Sequence, residues 1–299
     1  NRYPFTRHHA PSFTKMTVSL PIQGIRTDLA TVRRNSDMFR PSLLLSVIIG
    51  LVGFFLSVGQ TSAQAGKVDQ AAKALEPQLK IGGLLWDAHE VTVGSLKRFV
   101  KATGFQSQAE REGGGFIYEA GWTKKPGWTW QAPFGVPAAD NEPAVHLNFS
   151  EAQAVCKFFN KRLPTDKEWV EAAYLEQRAS PPAGFVTGRR YVYPSGDSPE
   201  GAHCLRGCGS YKGLAPQGSL WQGDGHVAVR TTRPGVNGLW DMGGNVWEWV
   251  DSGKGSERVT RSASWWYGPE RQKESDLATK PVDTRVAYIG FRCVQMPSQ

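Results

Sequence analysis

The side chains able to hold a soft metal or to run redox chemistry beyond residue 65 are few. They are the cysteines Cys156, Cys204, Cys208 and Cys293, and the histidines His89, His146, His203 and His226. His203, Cys204, Cys208 and His226 crowd into one stretch, a set that invites zinc or copper. The competing arrangement is an i, i+4 disulfide between Cys204 and Cys208 beside a solvated histidine, and an oxidising compartment favours it. Four cysteines allow three pairings, and spacing alone does not choose among them. A different chemistry is offered by Trp265-Trp266-Tyr267, with Glu270 and Arg271 just behind and Trp128 and Trp130 as further wall. Aromatics with a few polar groups suit a peptide, a sugar or a flat aromatic ligand. Three adjacent aromatics cannot all point inward on one strand, so at least one should face solvent or a ligand.

Three helices can be placed to position these groups. Thr92 can cap a helix whose apolar residues Leu96, Phe99 and Val100 fall at i, i+3, i+4, and Gly104 ends it. Asn148 with Glu151 three residues later is a capping pattern, ahead of Ala152, Val155, Cys156 and Phe159. Thr165 and Glu168 repeat that pattern before Trp169, Ala172 and Ala173. Elsewhere the pattern is short. The glycines 113–115, the stretch 122–130 and the stretch 133–143 read as long ordered loops. Short strands are expected at Val192, at Val227 and Val229, at Val259 and over 288–294. Loops this long are usually functional or pinned by side chains, disulfides or metal.

The chain has 299 residues, 40% hydrophobic and 21% charged, which affords a core and excludes global disorder. Its net charge of +8 is misleading, because residues 1–65 hold seven of the 35 Lys and Arg but two of the 27 Asp and Glu. The remainder is close to balanced, so nucleic acid is not an expected partner. Residues 38–65 read as a signal peptide: Met38-Phe39-Arg40, an apolar run from Leu43 to Val58, and Ala63-Gln64-Ala65 as cleavage site. The alternative is an uncleaved anchor, and the small-residue site favours cleavage. Residues 1–37 are then an upstream extension that precedes the true start, 66–81 a lead-in and 82–296 one domain. The expectation is an exported protein, periplasmic or secreted, with no membrane contact after cleavage.

Residues 237–249, Asn-Gly-Leu-Trp-Asp-Met-Gly-Gly-Asn-Val-Trp-Glu-Trp, resemble the signature of the formylglycine-generating enzyme or sulfatase-modifying factor family. Supporting pieces occur in the family's order: Glu90-Val91-Thr92-Val93, Pro143-Ala144-Val145-His146, Arg162-Leu163-Pro164-Thr165 running to Trp169, Tyr193 to Asp197, and Gly290-Phe291-Arg292-Cys293. The resemblance implies a compact, loop-rich α/β (α+β) fold related to the C-type lectin scaffold. It implies a structural calcium held by Asp241, Gly244, Val246 and Glu248, with carbonyls from Gly244 and Val246. Calcium takes several oxygen ligands, and a Gly-rich turn flanked by carboxylates can supply them. A second family calcium site is partly preserved: Asp224 matches, Cys204 and His226 would offer carbonyls, and His203 stands where the family usually has an Asn, though a hard cation disfavours imidazole. The resemblance also implies a Cys156–Cys293 disulfide, leaving Cys204 with Cys208.

Tyr267 and Gln272 stand at the two positions where the family's catalysts carry copper-binding cysteines. Copper(I) needs thiolate, which neither phenol nor amide replaces, so no copper is expected. Three readings follow. The first is an exported accessory protein that binds a partner protein, a peptide or a small-molecule ligand through Trp265, Trp266, Tyr267 and Arg271, with calcium as staple. Some relatives are linked to periplasmic metalloenzymes such as copper nitrite reductases. The second is a cysteine-independent tailoring oxidoreductase acting on a peptide or siderophore-like substrate, with Glu270 or Glu248 as acid/base. The third, formylglycine generation, is disfavoured. An enzyme predicts a deep pocket with a buried carboxylate of raised pKa. A binding module predicts exposed aromatics ringed by solvated carboxylates.

Overall fold

The computed structural model describes residues 76–297, so the signal segment 38–65 and the extension 1–37 lie outside the described residues. Each of the three longest helices starts where a side chain closes its first turn. Thr92 Oγ1 accepts from the Ser95 amide at 3.1 Å and opens α1 (Val93–Thr103). Gly104 ends α1 in the left-handed region at φ 71°. After a short α2 (Gln108–Arg111), α3 (Phe149–Phe158) carries a reciprocal box: Asn148 Oδ1 accepts from Glu151 N at 2.9 Å, and Glu151 returns the bond at 3.0 Å. α4 (Asp166–Tyr174) repeats it with Thr165 and Glu168. Such caps contribute about 1 kcal/mol each.

The strands are short. β1 (Gln78–Ile81) and β2 (Leu84–Asp87) form a hairpin, with β9 (Val294–Gln295) antiparallel to β2. β3 (Phe116–Tyr118) and β4 (Trp122–Lys124) make a separate ribbon. The third sheet has the order β7-β6-β5-β8, from β5 (Trp247–Lys254), β6 (Glu257–Arg261), β7 (Ala278–Pro281) and β8 (Ile289–Gly290). β8 runs parallel to β5, and the other pairs are antiparallel. The result is the expected loop-rich mixed α/β fold. Among the described residues, no helix is long and apolar enough to cross a membrane.

Two apolar clusters hold these pieces. α1 and α3 bury Leu96, Phe99, Val155 and Phe159 against Trp247, Trp249 and Phe291. α4 buries Trp169, Ala172 and Ala173 against Ile81, Leu84, Trp86 and Val250. Cys156 on α3 is bonded to Cys293 just before β9, and Cys204 to Cys208. Four expectations need correction, the first being that β4 takes Trp122–Lys124 out of a stretch expected to be loop. β1 lies within the expected lead-in. Val192 is exposed in a non-strand segment. Val227 is buried, but its amide donates to Asn245 Oδ1 at 2.9 Å and not to a neighbouring strand.

Candidate functional site

The segment 267–272 follows the loop after β6, and Gln272 closes a turn (Pro269–Gln272). Tyr267 is half-buried, its ring edge-on to Trp247 at 5.6 Å and to Tyr288 at 6.4 Å. The Arg271 guanidinium sits 5.5 Å from the Trp247 ring and 5.4 Å from the Tyr267 ring. Burial pushes the Tyr267 phenol up, so it stays protonated at neutral pH. Gln272 is fully buried and donates Nε2–H to Cys208 Sγ at 3.2 Å. The Leu205 amide donates to the Tyr267 carbonyl at 2.9 Å. The loop 204–208 therefore lies against both ends of the segment. Glu270 is exposed.

Three of the four donors expected for calcium are engaged with protein groups. Arg292 grips Glu248 through Nε at 3.0 and 2.9 Å and through Nη2 at 2.6 Å, and Trp169 Nε1 donates to the same carboxylate at 2.8 Å. Both Arg292 and Glu248 are 0% exposed. Asp241 accepts from the Arg230 amide at 2.9 Å and from Thr232 Oγ1 at 2.6 Å. The Gly244 carbonyl accepts from Ser262 Oγ at 3.0 Å, and Val246 is packed in the core. Gly244 has φ 101°, and a Cβ there would come within 2.1 Å of the His203 carbonyl oxygen. That turn brings the backbone of 203 and 244 together, and Glu248 meets an arginine. Arranged so, the four residues do not fit a calcium ion, because Arg292 already supplies the counter-charge. Nearby, Glu90 is fully buried and accepts from Asn245 Nδ2 at 3.0 Å. Burial, with Asp241 close by, pushes its carboxyl well above the usual range, so it is held neutral.

The second expected cluster comes together only in part, with His203 Nε2 lying 3.9 Å from Asp224 Oδ1. His203 Nε2 donates to the Gly225 carbonyl at 2.8 Å. His226 Nε2 donates to Glu142 Oε2 at 2.9 Å. Asp224 is exposed and accepts from the Gly213 amide at 2.7 Å. The Cys204 thiol is consumed in its disulfide, and the His226 carbonyl accepts from the Leu214 amide at 2.9 Å. Burial pushes both imidazoles down, keeping them neutral. Among the described residues, no group of three or more His, Cys, Asp and Glu is placed to hold a metal ion.

The expected cleft wall also sits elsewhere. Trp265 and Trp266 are 1% and 5% exposed and pack on Phe134 and Tyr288. Trp128 and Trp130 are core as well. The trio leaves the core at Tyr267, because 265–267 is not a strand and its alternation does not apply. The exposed aromatics are ones that the sequence reading missed: Trp221 at 65%, Trp122 at 55% and Tyr118 at 43%. Tyr118 and Trp122 are opposite each other in the β3–β4 register, edge to face at 5.5 Å. Trp221 lies 6.4 Å from buried Trp266, and its loop is tied down by Gln222 Nε2 donating to the Trp266 carbonyl at 3.1 Å. The ribbon tip and this loop enclose a shallow hollow of about 330 Å³, lined by Glu119, Ala120, Lys125, Leu220 and Trp221. A readable signal existed: a Trp among Ser, Leu, Gln and Gly at 219–223, and aromatics on both sides of Gly121. A second hollow of about 410 Å³ lies between the β1–β2 hairpin and α4, over Ile81, Leu84 and Trp86.

Among known proteins, the chain is 29% identical over 252 residues to the formylglycine-generating enzyme of Streptomyces coelicolor, covering 69% of this chain and 76% of the relative. It is 27% identical over 240 residues to the inactive C-alpha-formylglycine-generating enzyme 2 of Mus musculus, covering 69% and 73%. Two solved structures resemble it: CarF, with TM-score 0.48 and 18% identity over 72% of this chain and 87% of the other, and PvdO from Pseudomonas aeruginosa, with TM-score 0.47 and 17% identity over 71% and 80%. The model of the sulfatase-modifying factor enzyme 1-like domain matches residues 53–297. With that match spanning most of its length, the chain belongs to the sulfatase-modifying factor family.

Proposed function

We propose that this member of the family is an exported accessory protein that binds a partner polypeptide through the face formed by Tyr118, Trp122 and Trp221. The observation carrying this reading is that Trp221 lines a shallow hollow whose other wall is the tip of the ribbon, Glu119 and Ala120, on which Tyr118 and Trp122 also stand exposed. Exposed tryptophan and tyrosine on a rigid backing are what interfaces use as anchors. The backing here is Trp266, itself stacked on Tyr288. Lys125 and Glu119, ion-paired at 2.8 Å, give the hollow a polar rim. Tyr267 and Gln272 offer no thiolate for copper(I).

The tailoring-oxidoreductase reading has less support. Glu270 is solvated, Glu248 is locked to Arg292, and the neutral buried Glu90 lines neither of the two hollows described above. A periplasmic metalloenzyme such as a copper nitrite reductase is the partner class to try first. The experiment has two arms. The purified protein is given copper(I), oxygen and a sulfatase-derived cysteine peptide, with a formylglycine-generating relative as positive control, and no aldehyde is expected. In parallel, the tagged protein and its Trp122→Ala/Trp221→Ala variant are used to isolate partners from the exported fraction of the native host. The reading expects one polypeptide held by the parent protein and lost with the variant. Aldehyde formation, or equal recovery by both proteins, contradicts it.

A further inference from the structure

Among the described residues one lysine is buried, Lys161. Its Nζ donates to Asp87 Oδ1, and the two side chains are 2% and 1% exposed. Two other lysine–carboxylate pairs, Lys97–Asp140 and Lys125–Glu119, lie nearer the solvent. The other fully buried pair, Arg292 with Glu248, uses a guanidinium, which keeps its proton and is no nucleophile. A desolvated amine that yields its proton is one.

Both partners are fixed by the backbone around one disulfide. Asp87 ends β2; its amide donates to the Cys293 carbonyl at 3.0 Å, and its Oδ2 accepts from the Cys293 amide at 3.2 Å. Lys161 follows α3, and its amide donates to the Cys156 carbonyl at 2.9 Å. The next residue, Arg162, exchanges two backbone bonds with Val294, each at 2.8 Å. Cys156 and Cys293 are bonded to each other, so amine and carboxyl are anchored to the two ends of a single crosslink. Reacting groups held in this way reach effective concentrations of about 10⁵–10⁸ M. Their surroundings disfavour charge. Val91, Phe159 and Cys293 share with Asp87 and Lys161 the wall of a small cavity of about 10 Å³. Burial pushes the Asp87 carboxyl up. Two buried opposite charges carry a desolvation cost that a neutral product removes. The cavity is about the size of one water molecule. Glu76 lines it too, its Oε1 accepting from Thr92 Oγ1 at 2.9 Å.

We propose that Lys161 and Asp87 condense to an intramolecular isopeptide bond, a modification that the fold itself brings about. A proton passes from the ammonium to the carboxylate within the pair. The lone pair of the neutral Nζ then attacks Asp87 Cγ, and the N–C bond forms. A second proton leaves the nitrogen and reaches the departing hydroxyl, relayed across the cavity by Glu76. The C–O bond breaks, its electron pair leaves on oxygen, and one water is released into the cavity. One ammonium and one carboxylate become one amide and one water, with no electron gained or lost. The product ties the end of β2 to the segment after α3 beside Cys156–Cys293, and unlike that disulfide it survives reduction.

The test is the mass of the purified protein, denatured, reduced and alkylated at its four cysteines. The chain is expected to be lighter than its sequence by one water. A tryptic digest should hold one branched peptide joining the segments around Asp87 and Lys161, uncut after Lys161. A full sequence mass in the folded protein overturns the proposal, and so does a lost water that maps to a single unbranched peptide, the sign of a cyclic imide. Lys161→Arg keeps a cation beside Asp87 but has no nucleophilic amine. With circular dichroism confirming its fold, it should show the full mass; a lost water there overturns the assignment. Glu76→Gln keeps an acceptor for Thr92 but not the carboxylate. Sampled at the same time after induction, it should be linked at least about ten-fold less than the parent, and Glu76→Asp should restore the bond. An unchanged linked fraction in Glu76→Gln refutes the role given to Glu76.

Discussion

Replacing Arg292 with methionine tests how this fold manages its buried charge. The guanidinium makes three contacts with Glu248 at 2.6–3.0 Å, and donates to the Trp240 carbonyl at 2.9 Å and the Asp87 carbonyl at 3.3 Å. These bonds tie β5 to the segment before β9 and to the end of β2. Methionine fills much of the volume but leaves Glu248 with one donor, the Trp169 indole at 2.8 Å. Removing one partner of a buried ion pair costs about 3–5 kcal/mol, because the other charge stays buried without its counter-charge. For a domain of this size each kcal/mol lowers the midpoint by about 2–4 °C, so Arg292→Met should unfold roughly 6–20 °C earlier by circular dichroism. Adding Glu248→Gln removes the stranded charge, and the double variant should regain at least about half of the loss. Chelation should leave the midpoint of the parent protein unchanged. A loss under about 1 kcal/mol, or rescue of Arg292→Met by millimolar calcium, would refute the reasoning, since a cation would then be neutralising Glu248.

Three further outcomes follow from the same structure. Burial pushes the His146 imidazole down to about 4. Between that value and the ordinary imidazole range near 6.5, the unfolded chain binds a proton that the native state refuses, so His146 makes stability fall as pH drops through this window, by an amount on the order of 3 kcal/mol. Neutral Glu90 acts in the opposite sense, so the check is the His146 resonance itself, which should not titrate above about pH 5 by NMR; an ordinary midpoint would contradict its burial. Breaking Cys156–Cys293 should cost up to about 5 kcal/mol and breaking Cys204–Cys208 about 2 kcal/mol, by loop-closure entropy, as read from denaturant midpoints of the two double alanine variants. Trp122→Ala/Trp221→Ala should keep stability within about 1 kcal/mol, while Trp265→Ala should lose about 3–5 kcal/mol; similar losses in thermal melts would mean that Trp221 is structural.

What could be read from the sequence was local. Thr92, Asn148 and Thr165 start helices through bonds to amides three residues away, so the residues themselves state the structure. Gly104 ends α1 for an equally local reason. The strands were harder, because most are two to five residues long and take their register from partners far along the chain. Val227 shows why: it is as apolar and buried as a strand residue, yet its amide is satisfied by the Asn245 side chain. The candidate site failed for a similar reason. The resemblance implied Asp241 and Glu248 as ligands on one Gly-rich turn, but nothing near them announces that Arg292 comes back to take Glu248. Trp265 and Trp266 read as exposed only under strand alternation, and their segment is irregular. The aromatics that do stand in solvent are on a ribbon tip and a polar loop, where an apolar side chain among polar neighbours was the available sign.

The most direct test of a partner-binding face is site-specific photo-cross-linking in the native host. Trp122→p-benzoylphenylalanine and Trp221→p-benzoylphenylalanine place the reactive group on the proposed face, and Val186→p-benzoylphenylalanine, at an exposed valine elsewhere, serves as control. One discrete polypeptide adduct from positions 122 and 221, absent from 186, is the predicted result. Adducts from all three positions alike, or from 186 alone, would contradict the assignment of this face.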